Sequence, residues 1–419
     1  MFLNKKYINF LFKAEIYKMK RKVVLAYSGG LDTSVILKMI QEKYDSDVVT
    51  VTLDIGQLDD LKEINEKSIN AGSVSHYTID AKKEFVNDFI FPSIKANGLY
   101  EGKYPLGTAL GRPLIASKLV EVAKMEECYA VAHGCTGKGN DQIRLDVTIR
   151  ALNPSLKIIA PVREFNLTRD QEIDYAKSHN IPISQKKSVY SIDQNLWGRA
   201  IEAGPLEDPY IEPLDDVLEW CTPIHNTPDK PEYLELTFLD GVPVAVDGEA
   251  MEGIKLINYV NHLAGSHGVG LIDHIENRLV GIKSREVYEA PAAVTIIEAH
   301  KDLEKLVLTS NQMGFKVSVE QKWAWLIYTG LWVDPLRKDL DRFIDSTQKK
   351  VKGKVKLKLF KGHVKVVGRS SPYSLYDSGL ATYTSSSTFD QNAAIGFSEL
   401  WGLSSRVAYN VGPLSKNEV

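Results

Sequence analysis

Seven consecutive residues, Ser28-Gly29-Gly30-Leu31-Asp32-Thr33-Ser34, bring together two glycines, three hydroxyls and one carboxylate. Glycines let a backbone turn tightly and approach a ligand, and a helix starting at Asp32-Thr33-Ser34 would aim its free N–H groups at a polyphosphate. Neither a G-x-x-x-x-G-K-[ST] loop nor a G-x-G-x-x-G turn is spelled here. A second constellation, Ala132 to Arg144 (AHGCTGKGNDQIR), sets Thr136, Asn140 and Arg144 beside the carboxylate of Asp141. That donor set suits a zwitterion: Asp141 for an ammonium, Thr136, Asn140 and Arg144 for carboxylates. Cys135 lies among small residues with only His133 near it, so it reads as a passive residue rather than a nucleophile. The third stretch, Ile275 to Glu289, carries Glu276, Arg278, Lys283, Arg285 and Glu286; on charge alone it reads as a solvated face. His262, His267 and His274 are not at metal-ligand spacing, and no metal site is expected of the protein itself.

The elements that must position these residues alternate. Val23 to Ala26 has the β-branched content of a buried strand, and Val35, Ile36, Met39 and Ile40 recur at helical spacing after it. Further strands are predicted at Asp47 to Gln57, Val74 to Asp80, Cys128 to Gly134 and Lys157 to Pro161, with helices over Ala81 to Ala96 and Arg112 to Glu126. Such alternation predicts a parallel sheet covered on both faces, with ligands at the carboxyl ends of its strands. Loops 28–34, 54–57 and 134–144 then line one pocket. Thr168-Arg169-Asp170-Gln171 spells a capping box for a helix over Arg169 to Ser178, and Asn180-Ile181-Pro182 stops it.

Beyond that boundary the texture changes to α+β. Tyr233 to Gly248 reads as a hairpin across Asp240-Gly241, and Lys354 to Gly368 as another. Helices are expected at about 250–264, 301–313, 315–329 and 336–349. Lysines 350, 352, 354, 356 and 358 alternate, so they share one strand face; a solvated edge explains them better than a ribbon for RNA. In the tail, Phe389, Ala393, Phe397, Leu400, Trp401, Ser404 and Val407 fall near one face of an amphipathic helix, to pack on its own subunit or reach a neighbour.

With 419 residues and 44% hydrophobic content the chain can bury a large core in two or three domains. Lys+Arg 51 against Asp+Glu 54 leaves no basic excess to drive nucleic-acid binding. Three cysteines, Cys128, Cys135 and Cys221, lack disulfide-like spacing, which suits a reducing, cytoplasmic location. No 18-residue apolar run occurs, so no membrane span is expected. Residues 1–18 read as an unstructured extension, or as the product of a start placed too early, with Met19 as the alternative.

The loop SGGLDTS resembles the SGGxD[ST]S loop of the N-type ATP pyrophosphatases. AYSGGLDTS, TLDIGQ, LYEGKYPLGTALGRP, HGCTGKGNDQIR, SIDQNLWGR, HGVGLIDHIENRLVGIKSREVYE and SPYSLYD, in this order, are together similar to the argininosuccinate synthase family. The resemblance runs from about Lys20 to the C-terminus. It implies an ATP-binding domain over 19–183, a synthetase domain over 184–375 and a C-terminal oligomerisation tail over 376–419, in a homotetramer. It also implies ATP as substrate with Mg2+, and citrulline and aspartate as the other substrates. No nucleic acid or membrane partner is implied.

Carried over by motif, Ala26, Tyr27, Ser28, Gly29, Gly30, Leu31, Asp32, Thr33 and Ser34 hold the ATP phosphates. Leu53 touches adenosine, and Gly134 approaches it by backbone. Thr136, Asn140 and Asp141 bind aspartate. Tyr100, Pro105, Asn140, Arg144, Ser191, Glu276 and Tyr288 surround citrulline, which promotes the 276–288 stretch from solvated face to site. Asp32, Ser28 and Asp141 are the expected catalytic residues. Two positions depart from the family: Ala200 stands where a citrulline-contacting Ser is common, and Cys135 where Ala is usual.

Overall fold

The computed structural model describes residues 20–179, 181–182 and 189–411. The expected N-terminal extension and the expected boundary at 183/184 lie outside those residues. Two compact units are present, Met1–Tyr373 and Ser374–Val419.

The first unit opens with β1 (Arg21–Ala26), α1 (Leu31–Lys43), β2 (Ser46–Asp54), α2 (Leu61–Asn70) and β3 (Ser75–Asp80). After a broken helix come α3 (Gly107–Met125), β4 (Ala130–Ala132), α4 (Asp141–Leu152), β5 (Lys157–Ile159) and α5 (Arg169–Ser178). The five strands form one parallel sheet in the order β3-β2-β1-β4-β5. Val23, Val24 and Leu25 are fully buried, as a strand covered on both faces requires. The order reverses between β1 and β4, so the loops leaving these two strands diverge and open a crevice at their carboxyl ends. The predicted capping box at Thr168 and Gln171 is formed.

Beyond α5 lie β6 (Ser191–Asn195), β7 (Gly198–Glu202), β8 (Glu232–Leu239), β9 (Val242–Val246) and β10 (Glu249–Ala250), then α6 (Gly253–Ser266), β11 (Leu271–Asn277) and β12 (Lys283–Glu289). Next are α7 (Pro291–Val307), α8 (Ser310–Tyr328), α9 (Pro335–Gln348), β13 (Gly353–Phe360) and β14 (His363–Ser370). One antiparallel sheet runs β11-β12-β7-β6 and another β10-β9-β8-β13-β14. Asp240 and Gly241 both take positive φ (51° and 77°), the primed turn that the Asp-Gly pair predicts.

Four local expectations need correction. The helix predicted over Ala81 to Ala96 is interrupted by a π turn at Val86–Ile90, just before Pro92, whose missing N–H and bulky ring a wider turn accommodates. The break expected at Gly314 lies instead at Leu308-Thr309: Thr309 and Gln312 close a capping box, and Gly314 sits inside α8. The lysine-bearing strand β13 is internal, paired on both sides, and the edge belongs to β14. Its lysines still face outward, Lys354 pairing with Glu235 at 2.9 Å, while Val355, Leu357 and Leu359 are buried. Finally, the single helix expected from Phe389 onward is split in two among the described residues, α10 (Ala393–Trp401) and α11 (Leu403–Val411), parted at Gly402. No described helix is long and apolar enough to cross a membrane.

Candidate active site

The loop after β1 is shaped by its own short-range bonds. Gly29 has φ +74°, and a Cβ there would lie 2.9 Å from Ile64 Cγ1. The Gly30 N–H donates to Ser28 Oγ at 3.4 Å, and the hydroxyls of Thr33 and Ser34 donate to Gly30 O at 3.2 and 3.0 Å. Buried Tyr27 places its hydroxyl 2.9 Å from Ser34 Oγ. No side chain caps the start of α1 at Gly30, leaving first-turn N–H groups for an anion.

This loop forms one wall of a cleft of about 680 Å³. Of the residues expected at ATP, Ala26, Tyr27, Ser28, Gly30, Leu31, Asp32, Thr33, Leu53 and Gly134 line it. Ser34 is turned inward against Tyr27, and Gly29 serves the turn itself. A Cβ at Gly134 would lie 2.8 Å from Ile36 Cδ1, so glycine lets β4 leave close to α1 without displacing the end of that side chain. Cys135 also lines the cleft; its N–H points to His133 Nδ1 at 3.2 Å, while His133 Nε2 meets Asp146 at 2.8 Å. Nε2 carries a proton toward the Asp146 carboxylate; burial opposes a charged ring, but Cys135 and Asp146 push the His133 pKa up to about 9.

The start of α4 adjoins that wall. Asp141 accepts from Arg112 Nε and from Arg144 Nη1, both at 2.8 Å, and Arg112 also pairs with Asp193. Burial would raise the Asp141 carboxyl, but the two guanidinium groups hold it well below the usual carboxylate range. Asn140 Oδ1 accepts from the Leu279 N–H at 3.0 Å, tying this loop to the β11–β12 turn. Thr136 is exposed.

Arg144, three residues on from Asp141, leads into a packed aromatic cluster. Arg144, 4% exposed, donates from Nε to Tyr328 O at 3.0 Å. Tyr328 stacks on Tyr100 with centroids 3.5 Å apart and donates its hydroxyl to Glu276 Oε1 at 2.8 Å. Tyr288 donates to the other oxygen, Oε2, at 2.7 Å, and its ring stacks on Tyr104 at 4.3 Å. Pro105 and Tyr288 share a tight recess with Ala200. Tyr100, Arg144, Glu276 and Tyr288 thus form one contact chain. Ser191 stands apart, exposed at the start of β6 and opposite Glu202 in the sheet register. Beside the pocket, Arg278 bonds Glu286 at 2.6 Å and also pairs with Glu202.

Sequence reasoning missed Arg112, Tyr104 and Tyr328. Arg112 and Tyr104 fall within the conspicuous block LYEGKYPLGTALGRP, so their place could have been anticipated. Tyr328 ends an apolar helix and reads as core. Among the described residues no cluster of three or more His, Cys, Asp or Glu is placed to hold a metal ion.

Two family profiles match, one described as the arginosuccinate synthase N-terminal HUP domain over residues 22–182, the other as the arginosuccinate synthase C-terminal domain over 190–408. The chain belongs to the argininosuccinate synthase family. It is 58% identical to the argininosuccinate synthase of Pyrococcus furiosus over 390 residues, 93% of this chain and 95% of that protein. The enzyme of the same name from Dehalococcoides mccartyi is 54% identical over 401 residues, 96% of this chain and 99% of the relative. That of Bacillus subtilis is 54% identical over 389 residues, 93% and 96% respectively. In this family member Arg112 lines the cleft together with the phosphate loop, and Arg112, Asp141 and Arg144 connect that cleft to the aromatic cluster through hydrogen bonds.

Proposed function

We propose that the chain is an AMP-forming ligase of arginine biosynthesis that joins citrulline to aspartate. The ureido oxygen of citrulline attacks the α-phosphorus of ATP; an O–P bond forms and pyrophosphate leaves. The aspartate amine then attacks the ureido carbon, loses a proton, and AMP departs with the former ureido oxygen, giving argininosuccinate. A ureido oxygen leaves poorly until it carries AMP, so catalysis is positioning plus charge stabilisation, and no enzyme nucleophile is needed.

The observation that carries this reading is the bridge Arg112–Asp141–Arg144, which joins the cleft holding the phosphate loop to the aromatic cluster around Glu276 by way of Tyr328. In the proposal the N–H groups at the start of α1, with Ser28 and Asp32, hold the triphosphate. Asp141, Asn140 and Thr136 receive aspartate; Asp141 keeps lone pairs beyond those its arginines use. Arg144, Glu276, Tyr288, Tyr100, Pro105, Asn140 and Ser191 receive citrulline. Asp32 and Asp59 both line the cleft. Two carboxylates beside a triphosphate fit Mg2+, which would neutralise phosphate charge when bound.

The domain division at 183/184 and 375/376, a cytoplasmic location and a homotetramer belong to the same proposal. For the last, the support is the tail, where Phe397, Leu400 and Trp401 are 61%, 75% and 79% exposed. Removing it from Tyr383 onward should lower the mass seen by light scattering; an unchanged mass rejects its assembly role.

Citrulline labelled in its ureido oxygen tests the reaction. The label must appear in AMP. Label in water or inorganic phosphate with none in AMP rejects a citrulline-activating ligase.

A further inference from the structure

One tight turn touches both halves of the site. Between β6 and β7, the Leu196 N–H donates to Ile55 O at 2.9 Å, in the loop that follows β2. On the other side, Asn195 Nδ2 donates to Gly107 O and Trp197 Nε1 to Pro105 O, both at 2.9 Å. The Trp197 N–H closes the turn onto Asn195 Oδ1 at 2.8 Å, and Asn261 Nδ2 holds Leu196 O at 3.0 Å. Asn195 and Leu196 are 2% exposed and Trp197 is fully buried.

There is no slack at either contact. Gly56 has φ +97°, and a Cβ there would lie 2.3 Å from Leu196 Cγ and 3.1 Å from the Leu196 nitrogen. Ile55 lines the large cleft near Leu53. At the opposite end, Trp197 and Gly198 help wall the recess beside Pro105, Ala200 and Tyr288. That recess measures about 10 Å³, room for roughly one water. Any larger group entering there must push on the turn. Buried, fully bonded segments shift between discrete arrangements rather than bending smoothly.

We propose that the Asn195–Gly198 turn couples the two pockets, with Asn195 and Leu196 as positioning residues. Filling the recess at Pro105 sets the turn, and the turn sets Ile55 and Gly56 against the nucleotide. This rests on the assignment of these pockets to citrulline and ATP. Neither residue touches substrate; each acts through the loop it holds.

The test is binding of α,β-methylene-ATP to the full chain by calorimetry, with and without saturating citrulline. Citrulline should tighten the wild-type interaction by about 10-fold, within the usual range of coupling between sites. In Asn195→Ala and in Leu196→Ala this ratio should fall below about 2-fold, with each ligand alone bound within about 3-fold of wild type. A purely structural role would weaken each ligand alone and leave the ratio intact, and that result overturns the coupling, as does a wild-type ratio of one. The two variants remove different contacts, so misfolding of one leaves the other decisive. If the wild type binds the nucleotide but no citrulline, the pocket assignment fails and the coupling with it. If both bind and the variants keep the ratio, only the coupling fails.

Discussion

The phosphate loop holds its shape through bonds between residues two to seven positions apart, whereas Glu276 and Tyr328 meet across 52 positions and Arg144 and Tyr328 across 184. The loop offers main-chain donors at a helix start, so its chemistry depends on backbone shape more than on any one side chain. The aromatic pocket depends on side-chain identity: Glu276, 4% exposed, is matched by a tyrosine hydroxyl on each oxygen. Damage to the first wall should be graded and confined to ATP. Damage to the second should be steep and, at saturating citrulline, should fall on the amino-acid substrates.

Glu276→Gln should break the comparison hardest. Hydrogen bonds to charged groups contribute about 1.5–3 kcal/mol each, so losing the charge should lower kcat/KM for citrulline by about 100-fold while KM for ATP moves less than about 3-fold. Equal losses for both substrates in steady-state kinetics would show that the two walls are not separable. Asp141→Asn should come next. It weakens the hold on Arg112 and Arg144 and removes the carboxylate proposed for the aspartate ammonium. The Asp141 side chain is 27% exposed, so water softens the loss, and KM for aspartate should rise by about 10- to 100-fold, more than that for ATP. Uniform increases for all three substrates would instead assign Asp141 a scaffold role alone.

The same contrast explains what could be read from the chain. A local loop writes its chemistry into consecutive letters, so Ser28 to Ser34, its flanking strand and helix, and the parallel sheet were legible from pattern. Glu276 and Tyr288 read as a charged surface until the family resemblance promoted them, because burial by Tyr104 and Tyr328 is set by tertiary packing that spacing does not encode. Tyr328 carried no signal, its neighbours in α8 being the apolar residues any core helix shows. The misplaced break at Gly314 has a different cause. The letters Thr309 to Gln312 spell the true helix start, and a glycine costs a helix only about 1 kcal/mol, so Gly314 is carried inside α8.

Gly29→Ala sharpens the other side. An L side chain at φ +74° costs about 1–2 kcal/mol, and the new Cβ would press on Ile64, so KM for ATP should rise by about 10-fold. Citrulline binding measured without nucleotide should be unchanged. A matching loss for citrulline would mean that the loop's shape reaches the aromatic pocket.

The smallest effect is on stability rather than turnover, and it probes the acidic border of the pocket. Burial, reinforced by Glu202 and Glu276, pushes the Glu286 carboxyl up to about 9, although Arg278 opposes the shift. A carboxyl raised in the folded state is stabilising while protonated, below its unfolded value near 4.5, and that contribution is lost as pH rises toward about 9. Glu286→Gln mimics the protonated form at every pH. The variant should therefore match the wild type near pH 5 and melt a few degrees higher near pH 8, as read by Tm across that window. A difference that is constant with pH would mean that Arg278 keeps Glu286 ionised throughout. The pocket's border would then be a settled ion pair with Arg278, and the steepness expected around Glu276 would rest on its two tyrosines alone.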